Sequence, residues 1–272
     1  NGIHTHPMTL LFNALVTHKR VLFVAYHAPA KVVVDHVLAA CAFVSGCGAV
    51  LRGFVASAMP YATLVNIDAL SHQRGFIVGT KHPRLEELGL WDVLCHCEAR
   101  TMTVSPRISP PRPIPPFLDT REQARPSLRH TLRSMPEWML GDERPHAPDV
   151  LFMQRLTRAL QQHASEPFLR YWCQRYVLDF VALATRHEQT FYGMSLFQPT
   201  IHLSHDARDA YMLRCHALRI EGWRGTPSYR SFLWDMSHLY GQASRTAASF
   251  CLAHSGRGRA LSVDSPAPPT HR

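Results

Sequence analysis

The sequence lacks the motifs by which most α/β enzymes are recognised. It contains no G-x-S-x-G turn, which would present a nucleophilic serine. No G-x-x-x-x-G-K-[ST] or G-x-G-x-x-G loop follows a predicted strand, so a bound nucleotide is not expected. H-E-x-x-H is also absent, and the 18 histidines are scattered, mostly at the ends of predicted elements. We therefore predict no catalytic residues and no cofactor.

The sequence also has little that would place it in a membrane or an oxidising compartment. Its longest apolar stretch, Val32–Val44, is interrupted by Asp35 and His36 and is too short to span a bilayer. No signal-peptide pattern opens the chain, and it begins with Asn1 rather than Met, so we expect a fragment or a processed product. The 7 cysteines have no framework spacing, which is typical of a reducing compartment. These features predict a cytoplasmic protein.

One short segment raises the question of a metal site. Cys95 and Cys97 flank His96, but zinc sites usually pair their cysteines as C-x2-C and add a second ligand pair elsewhere. Here the spacing is C-x-C with no partner pair. We interpret the two cysteines as free thiols on a strand and predict no metal.

The positive charge is unevenly distributed. The formal net charge is +9, and residues 151–272 contribute most of it, with 14 Lys and Arg against 8 Asp and Glu. The arginines in this part lie singly among apolar residues, a pattern typical of solvated helix faces. An anionic membrane surface therefore stays open as a partner, and nucleic acid is not expected.

The first part of the chain alternates between helical and strand patterns. Because helices separate the strands, we predict right-handed crossovers and a mostly parallel sheet covered on both faces. The predicted lobe covers residues 1–105, with helices at Met8–Thr17 and Ala30–Val44 and strands at Arg20–Tyr26, Ala49–Val55, Gly75–Thr80, Trp91–Glu98 and Arg100–Ser105.

A proline-rich segment separates this lobe from a helical one. Half of the 20 prolines fall in residues 106–148, which predicts an extended connector, because proline fixes φ and lacks the N–H donor. Its "PPRPIPP" run would suit an SH3-type domain or serve as a plain linker. Residues 149–254 show helical spacing, and residues 255–272 have the composition of a disordered tail. The predicted fold class is thus an α/β lobe with a mostly parallel sheet, followed by an all-α helical lobe.

Several stretches, in order, resemble a known family. "LLFNALVTHKRVLFVAY", "AACAFVSGCGAVLRGFVASAMPY" and "IDALSHQRGFIVGTKHP" resemble the central part of a DENN domain. "PYATLVNIDAL", "LWDVLCHCEARTMTVS", "FLRYWCQRYVLDFVALATRHEQTFYG" and "RIEGWRGTPSYRSFLWD" are similar to the fungal Afi/SPA (stabilisation of polarity axis) group. The resemblance covers residues 8–105 and 166–238, whereas the upstream longin-like lobe of DENN proteins is not recognisable.

The resemblance implies a protein that acts on another protein without covalent chemistry. DENN proteins are mostly guanine-nucleotide exchange factors for Rab GTPases, and some members dock a GTPase as scaffolds. We therefore expect a module that binds a small GTPase of the Rab or Arf family in vesicle traffic and cell polarity, peripherally associated with membranes. Two alternatives stay open: a membrane-associated interaction scaffold without exchange activity, and a small-molecule α/β enzyme.

Exposed residues at the ends of the sheet strands are the expected GTPase contacts, because open sheets offer binding surfaces there. Asp68 would meet a basic or amide group of the partner, and Lys81 an acidic one; capping of a turn is the alternative role for Asp68. The interface candidates are Tyr61, Asn66, Asp68, His72 and Lys81.

Overall fold

A computed structural model describes residues 6–108, 148–192 and 207–239 of the chain. The strands are β1 Arg20–Val24, β2 Ala58–Met59, β3 Phe76–Thr80, β4 Val93–His96 and β5 Thr101–Val104. The helices are α1 Pro7–Val16, α2 Ala30–Val44, α3 Ile67–Ser71, α4 Pro83–Glu87, α5 Pro148–Gln161, α6 Glu166–Tyr192 and α7 Ala207–Arg224. Residues 227–239 are also helical. The predicted sequence of an α/β region followed by helices is confirmed.

The five strands form one mostly parallel sheet, as predicted. Its order is β2-β3-β1-β4-β5, and only β5 runs antiparallel to its neighbour. In the centre of the sheet, Val21 of β1 lies opposite Ile77 of β3 and Val93 of β4. Every residue of β3 is buried, as parallel strands covered on both faces require.

An ion pair joins Arg20, the first residue of β1, to Asp92, the residue just before β4. The Arg20 guanidinium donates to Asp92 Oδ1 over 2.9 Å, and the Arg20 backbone N–H donates to Asp92 Oδ2 over 2.9 Å. The Asp92 N–H returns a hydrogen bond of 2.8 Å to the Arg20 carbonyl. Burial alone would raise the pKa of Asp92, but the hydrogen bonds and charge of Arg20 bring it below its ordinary value. The pair therefore fixes the register in which β1 and β4 meet.

The prediction of a strand at Ala49–Val55 is wrong. The backbone of Gly53 has φ +98°, and an added Cβ there would lie 3.2 Å from Ser228 Cα, so this segment passes tightly along the chain near residue 228. An extended strand cannot continue through such a dihedral. The apolar residues Leu51 and Phe54 are buried in this turn, which accounts for the strand-like composition of the segment. The strand itself forms later, at β2.

Aromatic packing connects the sheet-covering helices to the helical region. Phe12 of α1 and Phe43 of α2 contact Tyr176 of α6, with ring centroids 4.8 and 6.2 Å away. The described residues up to 232 accordingly belong to one compact unit. Most of the predicted 106–148 linker and the whole 255–272 tail lie outside the described residues, so the predicted domain limits stay predictions.

Among the residues that the structure describes, no helix combines the length and the hydropathy that a membrane span requires.

Removing the Asp92 charge should destabilise the fold above pH 4. Asp92→Asn leaves the Arg20 guanidinium, 28% exposed, without its carboxylate, so we expect a loss of about 2 kcal/mol at pH 7. Because the folded pKa of Asp92 is depressed, this stabilisation is present above its ordinary value of 3.8 and is lost as the pH falls through the folded pKa. Urea unfolding at pH 7 and pH 3 measures both effects. Asp35→Asn, which breaks an exposed pair with Lys31, serves as control and should cost under about 0.5 kcal/mol.

A buried histidine should make stability depend on pH near 5. His216 is 3% exposed, and burial, reinforced by Arg219, lowers its pKa to about 4. Between its ordinary value of 6.5 and about 4, the unfolded chain binds a proton that the folded chain does not, so stability falls as the pH falls. His216→Leu should reduce that slope by up to about 1.4 kcal/mol per pH unit. The control is His36→Gln at an exposed position, which should leave the slope of unfolding free energy against pH unchanged. The prediction is contradicted if His216→Leu and the wild type have the same slope.

Candidate functional site

The polar side chains at the carboxyl ends of β1 and β4 contact one another and α4. The Tyr26 hydroxyl donates to the Glu86 carboxylate, and His96 Nε2 lies 3.3 Å from Glu86 Oε2. The Trp91 indole N–H donates to the Glu86 carbonyl over 2.9 Å, which fixes α4 beside this cluster. Burial raises the pKa of Tyr26, and Glu86 raises it further, so the phenol stays protonated and is a poor general base.

Backbone N–H groups of the loop between β1 and α2 bind the side-chain carboxylate of Glu98. Glu98, in the turn between β4 and β5, accepts hydrogen bonds from the N–H groups of Tyr26 at 3.0 Å, His27 at 2.8 Å and Ala28 at 2.5 Å. Desolvation would raise the pKa of Glu98, but these three donors hold it below its ordinary value. Consecutive N–H groups before a helix form an anion site. Here that site ties the β4–β5 turn to α2.

The Cys-His-Cys segment is not arranged as a metal site. Within the described ranges, no group of three or more His, Cys, Asp or Glu side chains could hold a metal ion. Cys95 is 6% exposed, and burial, with a contribution from Cys97, raises the pKa of its thiol to about 12. A thiol of such pKa is not nucleophilic at neutral pH.

A loop at the β2 edge of the sheet has a rigid base. We call residues 61–66 the edge loop. The N–H of its fully buried Ala62 donates to the Gly79 carbonyl over 2.7 Å, and the Thr80 hydroxyl donates to the Ala62 carbonyl over 3.0 Å. An added Cβ on Gly79 would lie 2.5 Å from the Pro60 carbonyl oxygen, so the close approach of the loop to β3 requires glycine there.

The tip of the edge loop is a single capped turn with apolar side chains pointing outward. Asn66 Oδ1 accepts a hydrogen bond of 2.9 Å from the Thr63 N–H, which closes a capping box around Leu64–Asn66. The two residues inside the turn, Leu64 and Val65, are 47% and 89% exposed, and Tyr61 is 37% exposed. Large apolar side chains on an anchored turn are a typical feature of interaction sites.

The structure places the five predicted interface residues on three segments: the edge loop, α3 and the end of β3. Tyr61 is exposed on the loop, and Asn66 belongs to it but uses its side-chain oxygen for the cap. Asp68 and His72 are exposed at the two ends of α3, where the His72 ring lies 2.7 Å from the Asp68 carbonyl. Lys81 is half-buried directly after β3, the strand on which the loop is anchored.

Sequence reasoning missed Leu64 and Val65. The signal was present as "TLVN", in which Thr63 is an N-cap residue and Asn66 follows three positions later. Such a box predicts one helical turn that is closed by its own hydrogen bonds. It does not show whether the side chains of the two residues inside the turn are exposed.

Comparison with known proteins supports the Afi/SPA resemblance. Residues 1–106 match the family model described as SPA, stabilization of polarity axis. Over 244 residues the chain is 25% identical to an AFI1-like protein of Schizosaccharomyces pombe. That match covers 85% of this chain and 37% of the relative, so the chain spans well under half the length of that protein. No solved structure matches the chain.

Two substitutions in the edge loop should separate stability from recognition. Asn66→Ala removes the cap, so we expect the free energy of unfolding to fall by about 1 kcal/mol. Val65→Asp changes a side chain that is 89% exposed, so stability should change by less than about 0.5 kcal/mol. Chemical denaturation of both variants measures these changes. If Val65→Asp lowers the free energy of unfolding more than Asn66→Ala does, the Val65 side chain is packed in the fold and not exposed at the tip of the loop.

Proposed function

We propose that this chain is a DENN-type module that docks a small GTPase of the Rab or Arf family through the edge loop and its surroundings. Its output is guanine-nucleotide exchange or scaffolding of the GTPase in vesicle traffic and cell polarity. The observation that carries the proposal is the exposed apolar tip of the edge loop on a base that β3 holds in place.

The edge loop offers exposed apolar area on an ordered turn. Burying a large apolar side chain contributes about 1.5–3 kcal/mol, so Leu64, Val65 and Tyr61 together supply enough to anchor a partner. Since the capping box and the Ala62 hydrogen bonds already order the loop, little conformational entropy is lost on binding. The apolar tip would thus occupy a pocket of the GTPase.

Polar residues surround this apolar tip. Asp68 and His72 of the α3 segment are exposed, and Lys81 follows β3, beside the strand-anchored base of the loop. A polar border around an apolar centre is the usual arrangement of protein–protein interfaces. In this arrangement Asp68 would pair with a basic or amide group, and Lys81 with an acidic residue of the partner.

The comparisons support the coarser part of the proposal. The family model over residues 1–106 is named for the polarity axis, and the fission-yeast relative is AFI1-like. The finer part, a DENN-type module with a GTPase partner, rests on the sequence resemblance together with the edge loop. Such a module needs no catalytic acid–base pair, because nucleotide exchange breaks no covalent bond. A protein that binds the nucleotide-free GTPase more tightly than the loaded form lowers the affinity of the GTPase for its nucleotide by the same ratio.

The test measures both release and binding. Rab and Arf GTPases loaded with a fluorescent GDP analogue are mixed with this chain, and, in parallel, with the full-length fission-yeast relative. Binding of the chain to each GTPase is measured in its nucleotide-free, GDP and GTP-analogue forms. We expect a complex with one GTPase that Val65→Asp weakens about tenfold or more, because a charge replaces an apolar contact in the interface centre. Leu38→Asp, at a 53% exposed position on α2, is the matched control and should leave binding unchanged.

The outcomes distinguish the two forms of the proposal. Tighter binding to the nucleotide-free form, with faster release, identifies an exchange factor. Binding to the GTP-analogue form without faster release identifies a docking scaffold. If neither this chain nor the relative binds any GTPase of the panel, the proposal is wrong.

A further inference from the structure

Two cysteines that play no part in the GTPase proposal lie where the end of α2 meets α6. Cys47 belongs to the turn that follows α2, and Cys173 is in the second turn of α6. Both thiols are free and half-buried. We call these two residues the cysteine pair. Because they are far apart in sequence and belong to the α/β and helical parts of the chain, a bond between them would join those two parts covalently.

The turn after α2 runs along one face of α6. A Cβ added to Gly46 would lie 3.4 Å from Val177 Cβ, and Cys47 Sγ lies 3.8 Å from the Arg170 carbonyl oxygen. Since residues three and four apart share a helix face, Arg170, Cys173 and Val177 form one row on α6. Cys173 therefore lies between the two points of α6 that this turn contacts.

Helix geometry brings the two thiols together. A helical side chain is directed back over the preceding turn, so the Cys173 side chain is directed toward the turn whose Arg170 carbonyl contacts Cys47 Sγ. Burial, with a contribution from Cys47, raises the pKa of the Cys173 thiol to about 11, and that contribution requires the two sulfurs to be neighbours. A disulfide needs Cβ atoms about 3.5–4.5 Å apart. Because Cys47 is on a turn and not inside a helix, small changes in its dihedral angles can supply that distance.

The other cysteines of the described residues are less suited to forming a disulfide. Cys41 is 8% exposed and Cys95 is 6% exposed, so an oxidant has little access to either. Cys97 is half-buried, but Cys95 is two residues before it on β4. Cα atoms two residues apart in an extended backbone are about 6.6 Å apart, close to the upper limit for a disulfide.

We propose that the cysteine pair is an oxidative modification site: a peroxide converts Cys47 and Cys173 to a disulfide that ties the end of α2 to α6, and a dithiol reductant restores the two thiols.

The reaction balances with hydrogen peroxide as the two-electron oxidant. The Cys47 sulfur attacks one peroxide oxygen, the O–O bond breaks, and a sulfenic acid forms while the thiol proton leaves in a water molecule. The Cys173 sulfur then attacks the Cys47 sulfur, the S–O bond breaks, and hydroxide leaves with the Cys173 proton as a second water. Cys47 reacts first, because it is next to the exposed Gly48, whereas Cys173 with its raised pKa is rarely a thiolate at neutral pH. Proximity favours the second step, since both sulfurs belong to one molecule.

The test identifies the bond by mass spectrometry. The purified chain is reduced, freed of reductant and treated with hydrogen peroxide; the remaining thiols are then alkylated and the protein is digested with trypsin. We expect the tryptic peptide YWCQR, which contains Cys173, joined to the peptide of residues 32–52, which contains Cys47. Cys47→Ser and Cys173→Ser should each abolish this product. Cys97→Ser, which changes another half-buried thiol, is the matched control and should leave it unchanged. Unfolding curves of the three variants under reducing conditions verify that each folds.

A second measurement follows the effect of the bond on stability. The oxidised chain should have a Tm about 5 °C or more above that of the reduced chain, because a bond between distant residues restricts the unfolded state. Dithiothreitol should reverse the shift, and neither serine variant of the cysteine pair should show it.

Three results would overturn the proposal. The first is a joined product that persists in Cys47→Ser, which would assign the bond to Cys41 in the same tryptic peptide. The second is a peroxide-induced bond only between Cys95 and Cys97 or between two copies of the chain, the latter visible on a non-reducing gel. The third is oxidation of Cys47 to sulfinic acid without any joined product.

Discussion

The arrangement of the sheet and the helical region depends on the packing of Phe12 against three aromatic side chains. Its side chain is fully buried, and its ring centroid lies 5.5 Å from that of Phe43, 4.8 Å from Tyr176 and 5.6 Å from Phe180. It therefore joins α1 and α2, which cover the sheet, to α6. Because a buried aromatic side chain of this kind contributes several kcal/mol, these contacts hold the sheet-covering helices against α6.

A buried ion pair orders the helices on the other side of that contact. Arg219 of α7 binds both carboxylate oxygens of Asp149 in α5, over 3.0 and 2.6 Å, and Tyr176 of α6 donates to the same carboxylate. Burial would raise the pKa of Asp149, but the charge and hydrogen bonds of Arg219 keep it below its ordinary value. The Arg219 guanidinium also lies 5.4 Å from the Phe12 ring centre. The aromatic contact and the ion pair thus share partners, so the four helices α1, α5, α6 and α7 are held by a single set of contacts.

The sequence predicts those parts of the structure that depend on local pattern. β1 contains the apolar run Val21–Val24 and β3 the apolar residues Phe76–Val78, and Pro29 and the glycines after Ser45 mark the limits of α2. The segment Ala49–Val55 has the same apolar composition, but the positive φ of Gly53 and its tight passage beside Ser228 are tertiary facts that no local pattern contains. For the candidate site, Tyr61 was predicted as an exposed residue near a strand end, and it is 37% exposed, although the strand before it is β2 and not Ala49–Val55. Leu64 and Val65 were missed, because the capping box marks a turn but does not show that the two side chains inside it are exposed. The stacking of Phe152 of α5 on Tyr176 of α6 is also a tertiary contact that sequence spacing alone does not determine.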